Sequence, residues 1–197
     1  MIVIAALAIT AATPAAVFAK YDDPEWPCIQ RRVDTLMMGQ MWAGPFPEES
    51  WREDETIRTL APVLAQRRVS PEDVQGRAAD FARSLPPERR AEALALLFEG
   101  ILTQINSQRT QIIAGIGRYA RRQAELSQRI DAARAEMAVL SDASEMDFDR
   151  MDALEAELDW DVRIFRERAQ SLTYVCEAPV LLEQRAFAIA RLLSAIN

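Results

Sequence analysis

Cys28 and Cys176 are the residues of this chain with the most definite chemistry of their own. In an oxidising compartment two such thiols form a disulfide; in a reducing one they remain two small buried groups. Neither belongs to a Cys-x-x-Cys pair, so no redox-catalytic role is expected. The bridge would close a loop of about 150 residues, which the chain-entropy model values at about 5 kcal/mol as an upper figure. It would staple the N-terminal segment to the last third of the chain.

The other candidate chemistries each meet a plainer reading. Met37, Met38 and Met41 could offer thioethers to copper(I) in an oxidising compartment, since soft sulfur selects that ion. Methionines in an irregular segment more commonly fill gaps in packing, and that is the reading preferred here. Asp142, Glu145, Asp147, Asp149 and Asp152 make an acidic stretch with the oxygens calcium takes. The stretch lacks the glycine and the twelfth-position glutamate of an EF-hand loop, so a solvated turn is expected. Glu99, Glu177 and Glu183 have no nucleophile or oxyanion donors beside them in the sequence pattern and read as surface charges.

There is no histidine. That removes the commonest general base, histidine-activated nucleophiles and the usual transition-metal ligand. Six glycines and no glycine-rich phosphate loop remove the common nucleotide sites. The expectation is a protein with no enzymatic activity, no cofactor and no resident metal. Aromatic residues are the remaining candidates. Trp26, Trp42 and Trp51, with Phe46, form a cluster that could bind a partner or pack into the core, the core being preferred. Trp160 stands among charges and is a candidate contact for a protein partner, as are Trp42 and Trp51 if their cluster is exposed.

The compartment follows from the first residues. MIVIAALAITAATPAAVFA, residues 1–19, carries no charge and has an apolar run followed by Pro14 and small residues. Val17 and Ala19 fit the −3 and −1 positions of a leader cleavage site, so the cut is expected before Lys20 and the mature chain in the periplasm. No lysine or arginine precedes the apolar run; either the start lies upstream or the free amino terminus serves. The alternative is an uncleaved inner-membrane anchor, barely long enough and interrupted by Thr10, Thr13 and Pro14. The segment DPEWPCIQRRV, followed by MWAGP, resembles the opening of small exported helical proteins of proteobacteria. The resemblance implies export and a structural cysteine, and carries no activity.

These residues need elements to position them. Residues 20–50 are rich in proline and tryptophan, and only Ile29 to Met38 reads as a short helix. Ser50 reads as the opening of a helix towards Arg68, interrupted at Pro62. Ser70-Pro71-Glu72-Asp73 is a strong start for another, with Val74, Ala78, Phe81 and Leu85 on its apolar face. From Pro86-Pro87 the pattern predicts one helix to about Leu140, on the order of 80 Å long. Its seam reads Phe98, Ile101, Ile105, Gln108, Ile112, Ile116, Tyr119, Gln123, Leu126, Ile130, Ala133, Met137 and Leu140, with a stutter at Ile112 to Ile116. After a polar turn near 141–147, a last helix runs from about Asp147 to Cys176 and, past Ala178-Pro179, to Ile196. Met151, Leu154, Leu158, Val162, Phe165, Ala169 and Leu172 mark its seam.

Charge supports antiparallel pairing of the two. Residues 118–134 hold five arginines and two acids, a net of +3; residues 145–161 hold eight acids and Arg150, a net of −7. Folding near residue 144 would bring Arg134 near Asp152, Arg129 near Glu155 or Glu157, and Glu125 near Asp161 or Arg163. The expected fold is all-α: a long antiparallel coiled-coil hairpin, 86–197, projecting from a small helical bundle that includes 51–85, with an irregular segment at 20–50, all one domain after the leader.

The net charge of −7 argues against nucleic acid and against an anionic membrane surface. The leading functional reading is a non-enzymatic periplasmic interaction or scaffold protein with a protein partner, self-association included. Two others stand beside it: a membrane-held accessory subunit of an envelope complex, if the leader stays, and a methionine-based copper-handling protein.

Overall fold

A computed structural model describes residues 23–196; the expected leader lies outside them. Four helices follow one another: α1 (Glu55–Leu64), α2 (Pro71–Arg83), α3 (Pro87–Ser141) and α4 (Phe148–Ser194). No strand occurs among the described residues. Before α1 the chain is irregular apart from one 3-10 turn at Met38–Gln40, so the short helix expected over Ile29–Met38 does not form. Its backbone is held from outside instead: the Asn106 side-chain amide donates to Leu36 O (3.0 Å) and accepts from Leu36 N (2.9 Å).

Local capping explains most boundaries. Asp54, not Ser50, caps α1, accepting from Ile57 N at 2.9 Å. Pro62 sits inside α1 without breaking it, two residues from the end. Ser70 accepts from Asp73 N at 3.1 Å and Pro71 opens α2, as its sequence predicts. Asp147 caps α4 by accepting from Arg150 N at 3.0 Å. The expected break at Pro179 is absent, and α4 runs through it. Pro179 is buried, and packing on both sides outweighs the one missing backbone hydrogen bond.

The main core gathers Ile57, Ala61 and Leu64 of α1, Val74, Ala78 and Phe81 of α2, the 93–105 stretch of α3 and the 182–193 stretch of α4. Gly100 lets α1 approach α3 closely: a Cβ there would lie 2.9 Å from the Ala61 Cβ and 3.2 Å from the Trp51 ring. Trp42 stacks on Phe98 with ring centroids 5.2 Å apart. Arg185 reaches from α4 to the end of α1, donating to Leu64 O (2.8 Å) and Ala65 O (3.4 Å), carbonyls that a helix end leaves free. A second, smaller cluster contains Trp26, Cys28, Ile113, Ile116 and Cys176, with Leu172 and Val175 against it. Cys28 and Cys176 are disulfide-bonded, their Cα atoms 5.5 Å apart.

Beyond that cluster α3 and α4 continue side by side. The Tyr119 hydroxyl donates to Arg168 O, Gln123 Nε2 donates to Phe165 O at 3.1 Å, Arg129 pairs with Asp161, and Arg150 pairs with Glu136. Descending numbers on α4 thus meet ascending numbers on α3, and the two helices are antiparallel. The register lies within a residue or two of the charge-based expectation, but the individual partners differ: Arg129 meets Asp161 rather than Glu155 or Glu157, and Arg134 pairs with Asp131 on its own helix. The apolar contacts and the length of the connection set the register, because exposed ion pairs contribute too little to move it.

The α3 seam also differs in detail. Arg109 and Ile113 are buried where Gln108 and Ile112 were expected; Gln108 and Ile112 are half-buried at the edge. The four-residue steps therefore fall at Ile105, Arg109 and Ile113. On α4, Asp161 is buried beside the half-buried Val162, and Ala169 is exposed.

Candidate functional site

Burial separates the candidate residues. Trp42 and Trp51 are core residues, each 6% exposed, and are not available as contacts to a partner. Trp26 is likewise buried, its indole donating to Gln30 O at 2.6 Å. The Trp51 indole nitrogen is buried without a hydrogen-bond partner among the described residues. Trp160 is 56% exposed. The Arg163 guanidinium lies over its ring, 4.5 Å from the centroid.

The methionines do not share one environment. Met38 and Met41 pack against the main core, whereas Met37 is exposed. Among the described residues no group of three or more histidine, cysteine or carboxylate side chains is placed to hold a metal ion, the acidic turn included. Of the three glutamates, Glu183 is 3.8 Å from Arg109 and half-buried, Glu99 is half-buried and Glu177 exposed.

The one buried cation among the described residues is Arg109 of α3, 2% exposed, which the sequence pattern does not single out. Its guanidinium donates to Pro179 O of α4 and to Val33 O of the N-terminal segment, the latter at 2.6 Å, while Nε has no hydrogen-bond partner among the described residues. Burial pushes its pKa below the ordinary arginine value, opposed by the nearby Glu183 carboxylate. Three separate stretches of chain thus meet at one side chain, within a turn or two of the disulfide. Its chemistry is that of a clamp: both acceptors are backbone carbonyls. The signal that could have found it is spacing, since Ile105, Arg109 and Ile113 continue one stripe of the helix.

The distal stretch of α4 carries a run of unopposed negative charge. Asp149, Asp152, Glu155, Glu157 and Asp159 are all exposed, and none has an ion-pair partner among the described residues. Asp161 is the exception, held by Arg129 at 3.1 Å and 7% exposed. Along the same helix Tyr174 (76%) and Leu181 (47%) are also exposed. A shallow groove of about 230 Å³ lies between the helices at Ser127, Ile130, Val162 and Phe165. No described helix is long and apolar enough to cross a membrane. No family model, curated protein or solved structure matches this chain.

Proposed function

We propose that this chain is a non-enzymatic periplasmic interaction or scaffold protein whose α3–α4 hairpin is a coiled-coil arm presented to a protein partner. The reading rests above all on one observation. Helices α1 and α2 contribute buried residues only to the core around 93–105 of α3 and 182–193 of α4. The distal parts of α3 and α4 rely on each other, and their outer faces are open to solvent. A long helix pair without cover exposes charge and aromatic surface to whatever approaches it, as an interaction element requires. The apolar leader and the disulfide support the periplasm as its compartment. The resemblance of the DPEWPCIQRRV segment to small exported helical proteins of proteobacteria agrees with that reading.

The test is site-specific photocrosslinking in cells that export the chain, with the photoreactive residue at Glu157 of α4 or Arg122 of α3. A discrete crosslinked species from either position, and a mature N-terminus at Lys20, are expected. No crosslinked species from either position would overturn the interaction reading; a retained residue 1–19 would overturn the soluble periplasmic one.

A further inference from the structure

We propose that the outward face of α4 is a contact between two copies of this chain, set antiparallel about a two-fold axis at Trp160; this rests on the arm being an interaction element. The order of charges along α4 points to it. Asp149, Asp152, Glu155, Glu157 and Asp159 are exposed and without ion-pair partners among the described residues. One turn beyond Asp159 the sign reverses. Arg163, Arg166 and Arg168 are exposed, and they too have no ion-pair partner among the described residues. Arg150, the arginine among the acids, is taken by Glu136. Helix geometry decides which of these look outward. Leu154, Leu158 and Asp161 turn towards α3, Leu154 and Asp161 buried and Leu158 half-buried. At 100° per residue Ala156, Asp159, Trp160 and Arg163 lie on the opposite half, with Glu155 and Arg166 along one flank of it.

A face that is acidic at one end and basic at the other complements its own copy once that copy is reversed, and a reversed copy makes an isologous contact that closes. With the two Trp160 side chains abreast, residues equally far before and after 160 face each other. Arg163 then falls within half a turn of Asp159 of the second copy, and Arg166 within one residue of Glu155. Both pairs lie on the same flank, where interhelical ion pairs set orientation, and the symmetry makes each of them twice. Ala156 stands level with Ile164 of the second copy, and Ala153 level with Glu167, so small exposed side chains beside the axis let the helices approach. Trp160, 56% exposed, is the apolar anchor at the centre, with charges at the rim. A parallel copy would oppose acid to acid. An α4 face set on a neighbour's α3 would repeat head to tail without closing. One helix face per copy is a small contact, below about 1,200 Å² in total, so the dimer is weak and depends on concentration.

The experiment is sedimentation equilibrium of the full disulfide-bonded chain, at concentrations reaching about 0.5 mM. A reversible monomer–dimer equilibrium is expected, weakened by salt at about 1 M. Trp160→Ala should weaken it about tenfold. Asp159→Arg and Arg163→Asp should each weaken it about tenfold as well, because each sets like charges together twice. The two substitutions in one chain should bring association back to within about threefold of the wild type, since the pair is restored with its signs exchanged. All three residues are exposed, and unchanged helical circular dichroism confirms that the variants fold. A monomer at every concentration, a dimer indifferent to Trp160→Ala, or a double variant that does not recover overturns the proposal. In cells, photocrosslinking from Glu157 should give a species of twice the mass of the chain. A crosslink from Glu157 to a different protein alone overturns the contact between copies and leaves the arm reading intact. No crosslink from either Glu157 or Arg122 overturns the arm reading itself.

Discussion

The base, where α1 and α2 cover α3 and α4, and the uncovered distal stretch of α3 and α4, the proposed arm, use the same two helices and are stabilised differently. At the base α3 is surrounded: from Ala93 to Phe98 six consecutive residues are buried, which no single seam could achieve. Along the arm the buried residues thin to Ile116, Ala120, Leu126 and Ile130 on α3 and to Leu154 and Asp161 on α4. After Phe165 the α4 residues 166–171 are all exposed, and there the contact to α3 is carried by hydrogen bonds from Tyr119 and Gln123 to backbone carbonyls. One sequence pattern can therefore give a core in one place and a thin, largely solvated contact thirty residues on. What differs is whether other helices are present to cover the remaining faces.

The sharpest way to break that contrast is to remove volume from each region. Phe98 is fully buried and stacked on Trp42, so Phe98→Ala should cost about 4 kcal/mol and lower the urea midpoint of the whole chain. Leu154→Ala should cost less, about 2 kcal/mol, because the thin arm can collapse around the gap. Hydrogen exchange is the discriminating measurement. The Leu154 variant should lose protection only between about residues 120 and 165, as expected of a locally opening unit. Equal loss throughout would show that base and arm unfold as one.

The disulfide sits at the border between the two regions. The Cys28→Ser, Cys176→Ser variant should lose about 3 kcal/mol, with helix content at room temperature unchanged. The helices keep their own apolar contacts, and Arg109 and Asn106 still hold the N-terminal segment at Val33 and Leu36. A loss of helical signal at 25 °C would show instead that the arm depends on the segment bound across it.

These border residues also mark what the sequence reveals. Ser70-Pro71 and the polar run before Asp147 locate their helix ends, because capping is a local interaction between a side chain and the backbone beside it. The disulfide was legible from a pair of cysteines with no Cys-x-x-Cys partner in a chain expected to be exported. The all-helical fold follows from periodicity. Arg109 was not foreseen, because a charged residue is excluded from a core on hydropathy alone, and its acceptors, Val33 and Pro179, are distant in sequence. Pro179 marked a helix end for the same reason: local propensity says nothing of the packing that carries α4 through it. Trp42 and Trp51 could be placed in either setting until the helices that cover them were positioned.

Tyr119 sharpens the comparison through pH. Burial raises its pKa above 10.0, opposed by the charge of Arg168. The folded state therefore holds the phenolic proton more tightly than the unfolded state. The stabilisation is complete below the unfolded value near 10 and is lost as pH rises through the folded pKa. Tyr119→Phe should cost about 1 kcal/mol at neutral pH, where the hydrogen bond to Arg168 O is lost. Wild type and variant should then converge in stability above pH 10. If the difference persists at high pH, the contribution of Tyr119 lies in packing and not in the hydroxyl.

The smallest effect tests whether the arm's charges hold it together at all. Arg129 is mostly exposed, whereas Asp161 is nearly buried, so the two partners are not equivalent. Removing the arginine leaves a carboxylate with little water and no counter-charge; removing the carboxylate leaves a solvated arginine. Arg129→Ala should therefore cost more than Asp161→Ala offset by its own lost contacts would suggest, and a double-mutant cycle should give a coupling of about 1 kcal/mol. The exposed Arg134–Asp131 pair on α3 should give a coupling within about 0.5 kcal/mol of zero. Raising salt to 1 M should abolish the second and only reduce the first, since a partly buried pair is screened less. Equal couplings for both pairs would mean that Asp161 is effectively solvated and that the arm, even at its one buried charge, has no interior comparable to that of the base.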